Sequence, residues 1–598
     1  MNFPSISEIT DKAQNAFKRF PLTLLWAIFG TFFCIYLIEY NSRDFFDVHS
    51  DIVLTLIVGI SWLIGTQFFI EQLENPKKSQ WIKLVVLALL GFLYWYFPKE
   101  QHYDDSPVYL FRFFLFLIAG HLFVLFAPFL LKWDKNAYWN YLKSIGTAII
   151  RSLFFSGILY VGLILALAAI DALFDVSIKG KRYGQLFLFC LGIVNTWIYL
   201  SDFPKNILQN TTIYFQKALE VLVKYILIPL VILYLAILYA YSAKIVIQWE
   251  LPKGWVSYLV IALSFLGYII QVIINPIQKN LKSWTINKFY PWFYFLLIPL
   301  NVLLFVAILR RITDYGITEN RYFVIAIAIW NVGILAYLLL SREKALKVIP
   351  ISLFVITLLS SIGFWSAFKV SENSQVNQFN TLFTSVKNKN NTATEEELDR
   401  LKSILDYLED RKKVSRLDGI TRLNLEGFRD TIVDDYRNHG YLDQAKIWDS
   451  LAIKLDSTTM TKSDYTNEYY NLYSTWDKPH YNNISDYDQF AYLDLYAYNE
   501  HTITLDTLEI VLETNAKKLT INSKNSSAVL LEFPLASKLE ALTKYDQNIN
   551  KAPEKELILE AQSKAISARL IFIELSFNKN NDTIELNNVK AALFLKRN

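Results

Sequence analysis

About eleven apolar runs, each near the length that crosses a bilayer, occupy 21–40, 52–70, 81–97, 108–131, 152–173, 183–200, 225–246, 255–274, 290–309, 322–340 and 349–367. A spanning helix needs about 20 apolar residues to cover ~30 Å of hydrocarbon. No other feature narrows the fold as much, because backbone polar groups inside lipid must be satisfied within each helix. The expected fold class is therefore an α-helical polytopic membrane bundle followed by a soluble α+β region that ends in an antiparallel, β-sandwich-like domain. The expected organisation is an amphipathic N-terminal helix (1–20), a transmembrane domain (21–370), a helical linker or subdomain (371–484) and a β-rich soluble domain (485–598).

Composition agrees. The 598 residues are 53% hydrophobic and 16% aromatic, with a mean hydropathy of +0.25, which separates this chain from an ordinary soluble enzyme of the same length. The net charge of +4 is small and scattered, so no nucleic-acid partner is expected. The two cysteines, Cys34 and Cys190, both lie inside apolar runs, which excludes a disulfide framework and a cysteine-rich metal site. No cofactor pattern is present. The bilayer is the first expected partner, with an envelope protein or glycan as the second.

Before the first span, Ile6, Ile9, Ala13 and Phe17 recur at helical spacing, with Lys12, Lys18 and Arg19 elsewhere. This pattern suits a helix lying on the inner membrane surface. The first span itself is too long and too aromatic for a cleaved signal. Lysines and arginines mark the cytoplasmic side. They are denser in the alternate segments that begin with the N-terminus, including Lys132, Lys135, Lys143, Lys279, Lys282 and Lys288. The expected location is thus a bacterial inner membrane, N-terminus inside, with the C-terminal domain outside the cytoplasm. Two loops oppose this bias, 174–182 with Lys179, Lys181 and Arg182, and 310–321 with Arg310, Arg311 and Arg321.

The second of these loops, "RRITDYGITENRY", reads mainly as a turn. Gly316 is the left-handed residue, and Ile312 and Ile317 form the apolar pair of a Schellman closure. Thr318 is the next N-cap, Glu319 favours the positive helix end, and Ile317 and Tyr322 make a hydrophobic staple. Arg310 and Asp314 are four apart on one helix face, and Arg321 can reach back to Tyr315 or Asp314. The functional alternative for Arg310, Arg311, Asp314 and Arg321 is a cationic loop for an anionic headgroup or saccharide. Asn301 and Asn331 each lie 15 residues from Gly316, so in an antiparallel hairpin they share a depth and should bond to each other or to a third helix.

Charged residues at mid-span are nearly lacking. His121 is the one ionisable group there, read as a neutral histidine bonded to a neighbouring helix or as a proton or ligand site. Arg112 lies near a span end and can snorkel. Asp44, Asp47 and Asp51 form an acidic loop that a lipid-linked glycosyltransferase could use as a base or metal ligand.

In the soluble part, "SENSQVNQFN" reads as a polar linker. Thr394 and Glu397 form a capping box ahead of Leu398, Leu401, Leu405 and Leu408. "HGYLDQAKIWDSLAIKLD" gives a further helix. From about residue 485 the period changes to two in "FAYLDLYAY", "HTITL", "LEIVLE", "KKLTIN", "AVLLEF", "ARLIFIELSF" and "KAALFLK". The aromatic run 465–483 is a candidate contact surface or a packed loop.

Three segments carry a family resemblance: "ELPKGWVSYLV" (250–260), "DYGITENRYF" (314–323) and "SSIGFWSAFKVSENSQ" (360–375). The core Tyr315-Gly316-Ile317-Thr318, with Arg321, is the most specific. They resemble an uncharacterised family of bacterial polytopic membrane proteins, domain of unknown function 4153. That resemblance implies an envelope location and brings no activity, cofactor or catalytic residue. Where the family often has a proline after the glycine of the third segment, this chain has Phe364. The functional expectation is a non-enzymatic envelope sensor, scaffold or binding protein. The alternatives are a transporter or channel for a neutral or lipid-like solute and a membrane-embedded lipid-linked glycosyltransferase.

Overall fold

Apolar runs become helices in this computed structural model, which describes the chain apart from residues 1–5, 41–48, 98–106, 249–254, 277, 279–283, 343, 430–441, 457–466, 474–483, 497–501, 514–515, 525, 527, 544–553, 581–582 and 598. The chain divides into two units, Met1–Leu455 and Asp456–Asn598.

In the first unit, 10 helices among the described residues are long and apolar enough to cross a membrane. They match the expected runs except the last. Val348–Ser361 has 14 residues, about 21 Å of rise, because the run expected to extend through 367 is broken. Ile362 is extended, Gly363 takes φ +87°, and Ser366 caps a new helix by accepting the Lys369 N–H. The short helix still returns the chain from one end of the bundle to the other. At its start, Lys347 donates to the Phe129 carbonyl at 2.7 Å, and the rings of Phe129 and Phe68 both pack on Tyr141. Phe68 lies near Glu71, which pairs with Arg19 at 2.7 Å, so this is the N-terminal end. Beyond its last turn, the Trp365 carbonyl accepts the Tyr322 hydroxyl at 2.8 Å, at the opposite end. Residues 367–455 therefore leave the bundle at the end away from the N-terminus.

The N-terminal helix Ile6–Arg19 is packed against the bundle. Phe17 stacks on Trp197, and Trp197 Nε1 donates to the Ala13 carbonyl at 3.1 Å. The expected polar linker is instead part of the 22-residue helix Ala367–Asn388. Phe368, Ser371, Gln375, Phe379, Phe383 and Val386 are buried along it, a helical spacing that its polar composition hid. The helix Glu395–Glu409 starts with the expected Thr394–Glu397 capping box, and Gln444–Leu451 follows with Asp443 as its cap.

In the second unit, alternation decides the strands. Leu508–Glu513 alternates between buried and half-buried positions throughout. An antiparallel sheet runs Asn467–Tyr473, Ile566–Asn580, Thr583–Arg597, Gln489–Tyr496, with Ile558–Gln562 also pairing Ile566–Asn580. A four-stranded meander follows chain order through Thr502–Leu505, Leu508–Glu513, Lys518–Ser523 and Val529–Pro534. Both sheets bury one apolar cluster, in which Ile510, Ile521 and Phe533 join Leu493, Leu570 and Leu593. The described part of the aromatic run is a strand, so strand structure begins within the stretch expected to be helical linker, and Tyr470 stacks on Phe577 at 4.8 Å.

Candidate functional site

The Gly316 turn is built as its residues dictate, with two differences. Gly316 takes φ +72° and its N–H donates to the Ile312 carbonyl at 2.8 Å, the single bond of an αL closure. The second bond of a Schellman motif is not made, because the Ile317 N–H donates to Ser374 Oγ at 2.8 Å. Gln375 Nε2 donates to the carbonyls of Tyr315 and Ile317 at 3.1 and 3.0 Å. Thr318 occupies the N-cap with extended backbone but makes no side-chain cap bond. Arg310 pairs with Asp314 at 2.8 Å, while Arg321 donates to the carbonyls of Tyr315 and Gly316 at 3.0 and 2.8 Å. Arg400 donates to the Asp314 carbonyl, and Arg311 stays exposed. Most polar groups of the knot thus serve the turn and its docking to the helical region.

Glu319 goes further than a helix-start acid. Arg411 grips it through Nε at 2.8 Å and Nη2 at 3.0 Å, and the Tyr407 hydroxyl adds a third bond at 2.8 Å. Burial first, then the Glu319 charge, pushes the Tyr407 phenol above its ordinary value, so it remains a donor. Two charges this buried are stable only with such complete bonding.

Beside this pair lies a cleft of about 1140 Å³, larger than the ~300–1,000 Å³ usual for small-ligand pockets. Its walls are apolar and come from bundle helices, with Val58, Leu90, Leu93, Phe116 and Leu358 among them. Its polar side is built from Arg112, Glu319, Lys369, Glu372 and the run Arg411, Lys412, Lys413. Glu372 is held by Arg416 at 2.6 Å. The Arg112 guanidinium sits over the rings of Tyr96 and Phe368 at 5.0 and 4.8 Å, and its Nε is buried without a hydrogen-bond partner.

The family model for a domain of unknown function, DUF4153, matches residues 51–382, over half of the chain. The chain belongs to the DUF4153 family. An uncharacterized protein of Pasteurella multocida (strain Pm70) is 25% identical over 382 residues, covering 64% of this chain and 62% of that relative. The match thus spans less than two thirds of the relative's length. No solved structure matches. The DUF4153 match includes every bundle residue lining the cleft and stops short of Arg411, Lys412 and Lys413.

The other expected site residues of this DUF4153 protein fall in separate places. Asn301 and Asn331 are both buried, and Asn331 Nδ2 donates to Asn301 Oδ1 at 2.7 Å and to Ser264 Oγ at 2.9 Å. The Tyr268 hydroxyl donates to Asn331 Oδ1, which extends the network to the third helix. Their polar capacity is spent on tying three helices together. His121 does not join them. It is exposed, and its Nδ1 bonds the Leu117 carbonyl of its own helix at 2.8 Å, so the expected bond to a neighbouring helix is not made. Asp44 and Asp47 lie outside the described residues. Asp51 is buried, with Oδ1 accepting the Ile52 N–H at 2.7 Å. Among the described residues no group of His, Cys, Asp or Glu could hold a metal ion.

Sequence reasoning missed the Glu319–Arg411 pair and the cleft. The available signals were Arg112 inside an apolar run and the basic cluster from Arg411 to Arg416.

Proposed function

We propose that this protein is a multi-pass binding protein of the bacterial inner membrane that takes a lipid-like molecule into the cleft. Its N-terminus lies in the cytoplasm, and its soluble helical region and two-sheet β-sandwich lie in the envelope. The observation that carries this reading is the cleft: apolar walls contributed by spanning helices, closed on one side by charged residues of the helical region. An amphiphile is the ligand class that matches both surfaces. Because Arg411 both lines the cleft and holds Glu319, the same residue that meets the ligand anchors the Gly316 turn. That gives an envelope sensor a physical link between occupancy and the position of its outer part.

The test is to purify the full chain in detergent, extract it and weigh the bound amphiphile by mass spectrometry. Wild-type protein should carry a lipid-like species in near-stoichiometric amount. Leu93→Trp, which fills the apolar part of the cleft, should lose it while remaining folded by circular dichroism. Equal retention by both proteins would remove the cleft from the function.

A further inference from the structure

Among the described residues, cationic side chains outnumber carboxylates at the mouth of the cleft. Among the described residues, Arg112, Lys369, Arg411 and Lys413 share it with the carboxylates of Glu319 and Glu372, Lys369 pairs with Glu372 at 3.6 Å, and Lys412, which also lines it, is engaged elsewhere. Both carboxylates are already engaged by arginines, Glu319 by Arg411 at 2.8 Å and Glu372 by Arg416 at 2.6 Å. Arg112 has no carboxylate partner among the described residues. Its contacts are two aromatic faces, which hold a guanidinium in place without using its N–H donors. Burying the Nε donor with no acceptor carries a cost that an anionic ligand would relieve.

The apolar side of the same cleft is continuous with the outer surface of the bundle. Leu89 and Phe92 line it and are also 57% and 59% exposed, on a helix long and apolar enough to lie in lipid. A ligand can therefore enter sideways from the bilayer, acyl chains first, without desolvating a charge in hydrocarbon.

From these observations we infer that the occupant is an anionic membrane phospholipid, with its phosphate held by Arg112 and Lys413 at the mouth and its acyl chains against the helix Ile82–Tyr96. The guanidinium fork matches phosphate oxygens bidentately, while the lysine supplies a point charge. This rests on the proposed binding function and specifies its ligand.

The experiment uses the full chain in phosphatidylcholine nanodiscs. Retained lipid is measured by native mass spectrometry after doping with phosphatidylglycerol, with diacylglycerol of the same acyl chains, or with soluble glycerol phosphate. Phosphatidylglycerol should be retained preferentially, and glycerol phosphate alone should not. Arg112→Gln should weaken phosphatidylglycerol retention about tenfold, the size of one lost charge-assisted hydrogen bond, and leave diacylglycerol unchanged. Arg112→Lys should restore part of the loss. If diacylglycerol and phosphatidylglycerol are retained equally and Arg112→Gln changes neither, the headgroup assignment is overturned and the cleft still binds a lipid. Retention of no amphiphile by the wild type overturns both readings.

Discussion

Glu319 is legible in the sequence as an acid at a helix start, and the structure gives it a second and larger role. Its side chain is 4% exposed and that of Arg411 is 13% exposed. Removing one member of such a pair strands the other charge, at a cost of about 3–5 kcal/mol. Glu319→Gln should therefore lower the unfolding midpoint of the purified protein markedly. Adding Arg411→Met should recover most of the loss, since the apolar replacement leaves no orphan charge. A single variant as stable as the wild type would show that the pair contributes nothing to the boundary between bundle and helical region. Gly316 is a simpler case. At φ +72° an added Cβ would also lie 2.8 Å from Gln378 Cγ, so strain and contact both favour glycine there.

At the scale of elements, the helical region depends on two side-chain caps that titrate. Burial alone would raise Glu397, but bonds from Lys389 and Thr394 outweigh it and hold the carboxyl below its ordinary value of 4.5. Lys446, through its side chain and its backbone N–H, holds Asp443 below 3.8. Each group has a lower value folded than unfolded. Their stabilisation is complete above those ordinary values and is lost as the pH falls through the lowered folded ones. Hydrogen-exchange protection across Glu395–Glu409 and Gln444–Leu451, corrected for intrinsic rates, should fall on acidification below pH ~4. Protection that stays constant down to pH ~2.5 would contradict the capping assignment. The strands need no such help. Alternation in "LEIVLE" and "KKLTIN" is readable because a side-chain period of two survives in any short window. The helix Ala367–Asn388 is not readable in the same way, because Gln375 is buried for its bonds to the Tyr315 and Ile317 carbonyls rather than for hydropathy.

For the whole molecule, the decisive quantity is the number of crossings. Among the described residues ten helices are long and apolar enough to cross a membrane, an even number, and the proposed topology takes the 14-residue helix Val348–Ser361 as an eleventh crossing. Lys347, just before it, donates to the Phe129 carbonyl, and Trp365, beyond it, accepts from the Tyr322 hydroxyl, so its two ends meet opposite ends of the bundle. A C-terminal alkaline phosphatase fusion should be active and a fluorescent-protein fusion dark. The reverse pair of results would place the C-terminal domain in the cytoplasm. The sequence by itself determined the spans, the Gly316 turn, the capping box and the strand pattern, since hydropathy, period and turn chemistry act between residues close along the chain. It also placed Asn301 and Asn331 at one depth, because a tight hairpin turns sequence distance into height. Only the tertiary structure decided the cleft, the stacking of Arg112 between Tyr96 and Phe368, and the grip of Arg411 on Glu319. Those contacts join residues far apart in the chain, 92 positions in the last case, and depend on which helices lie side by side.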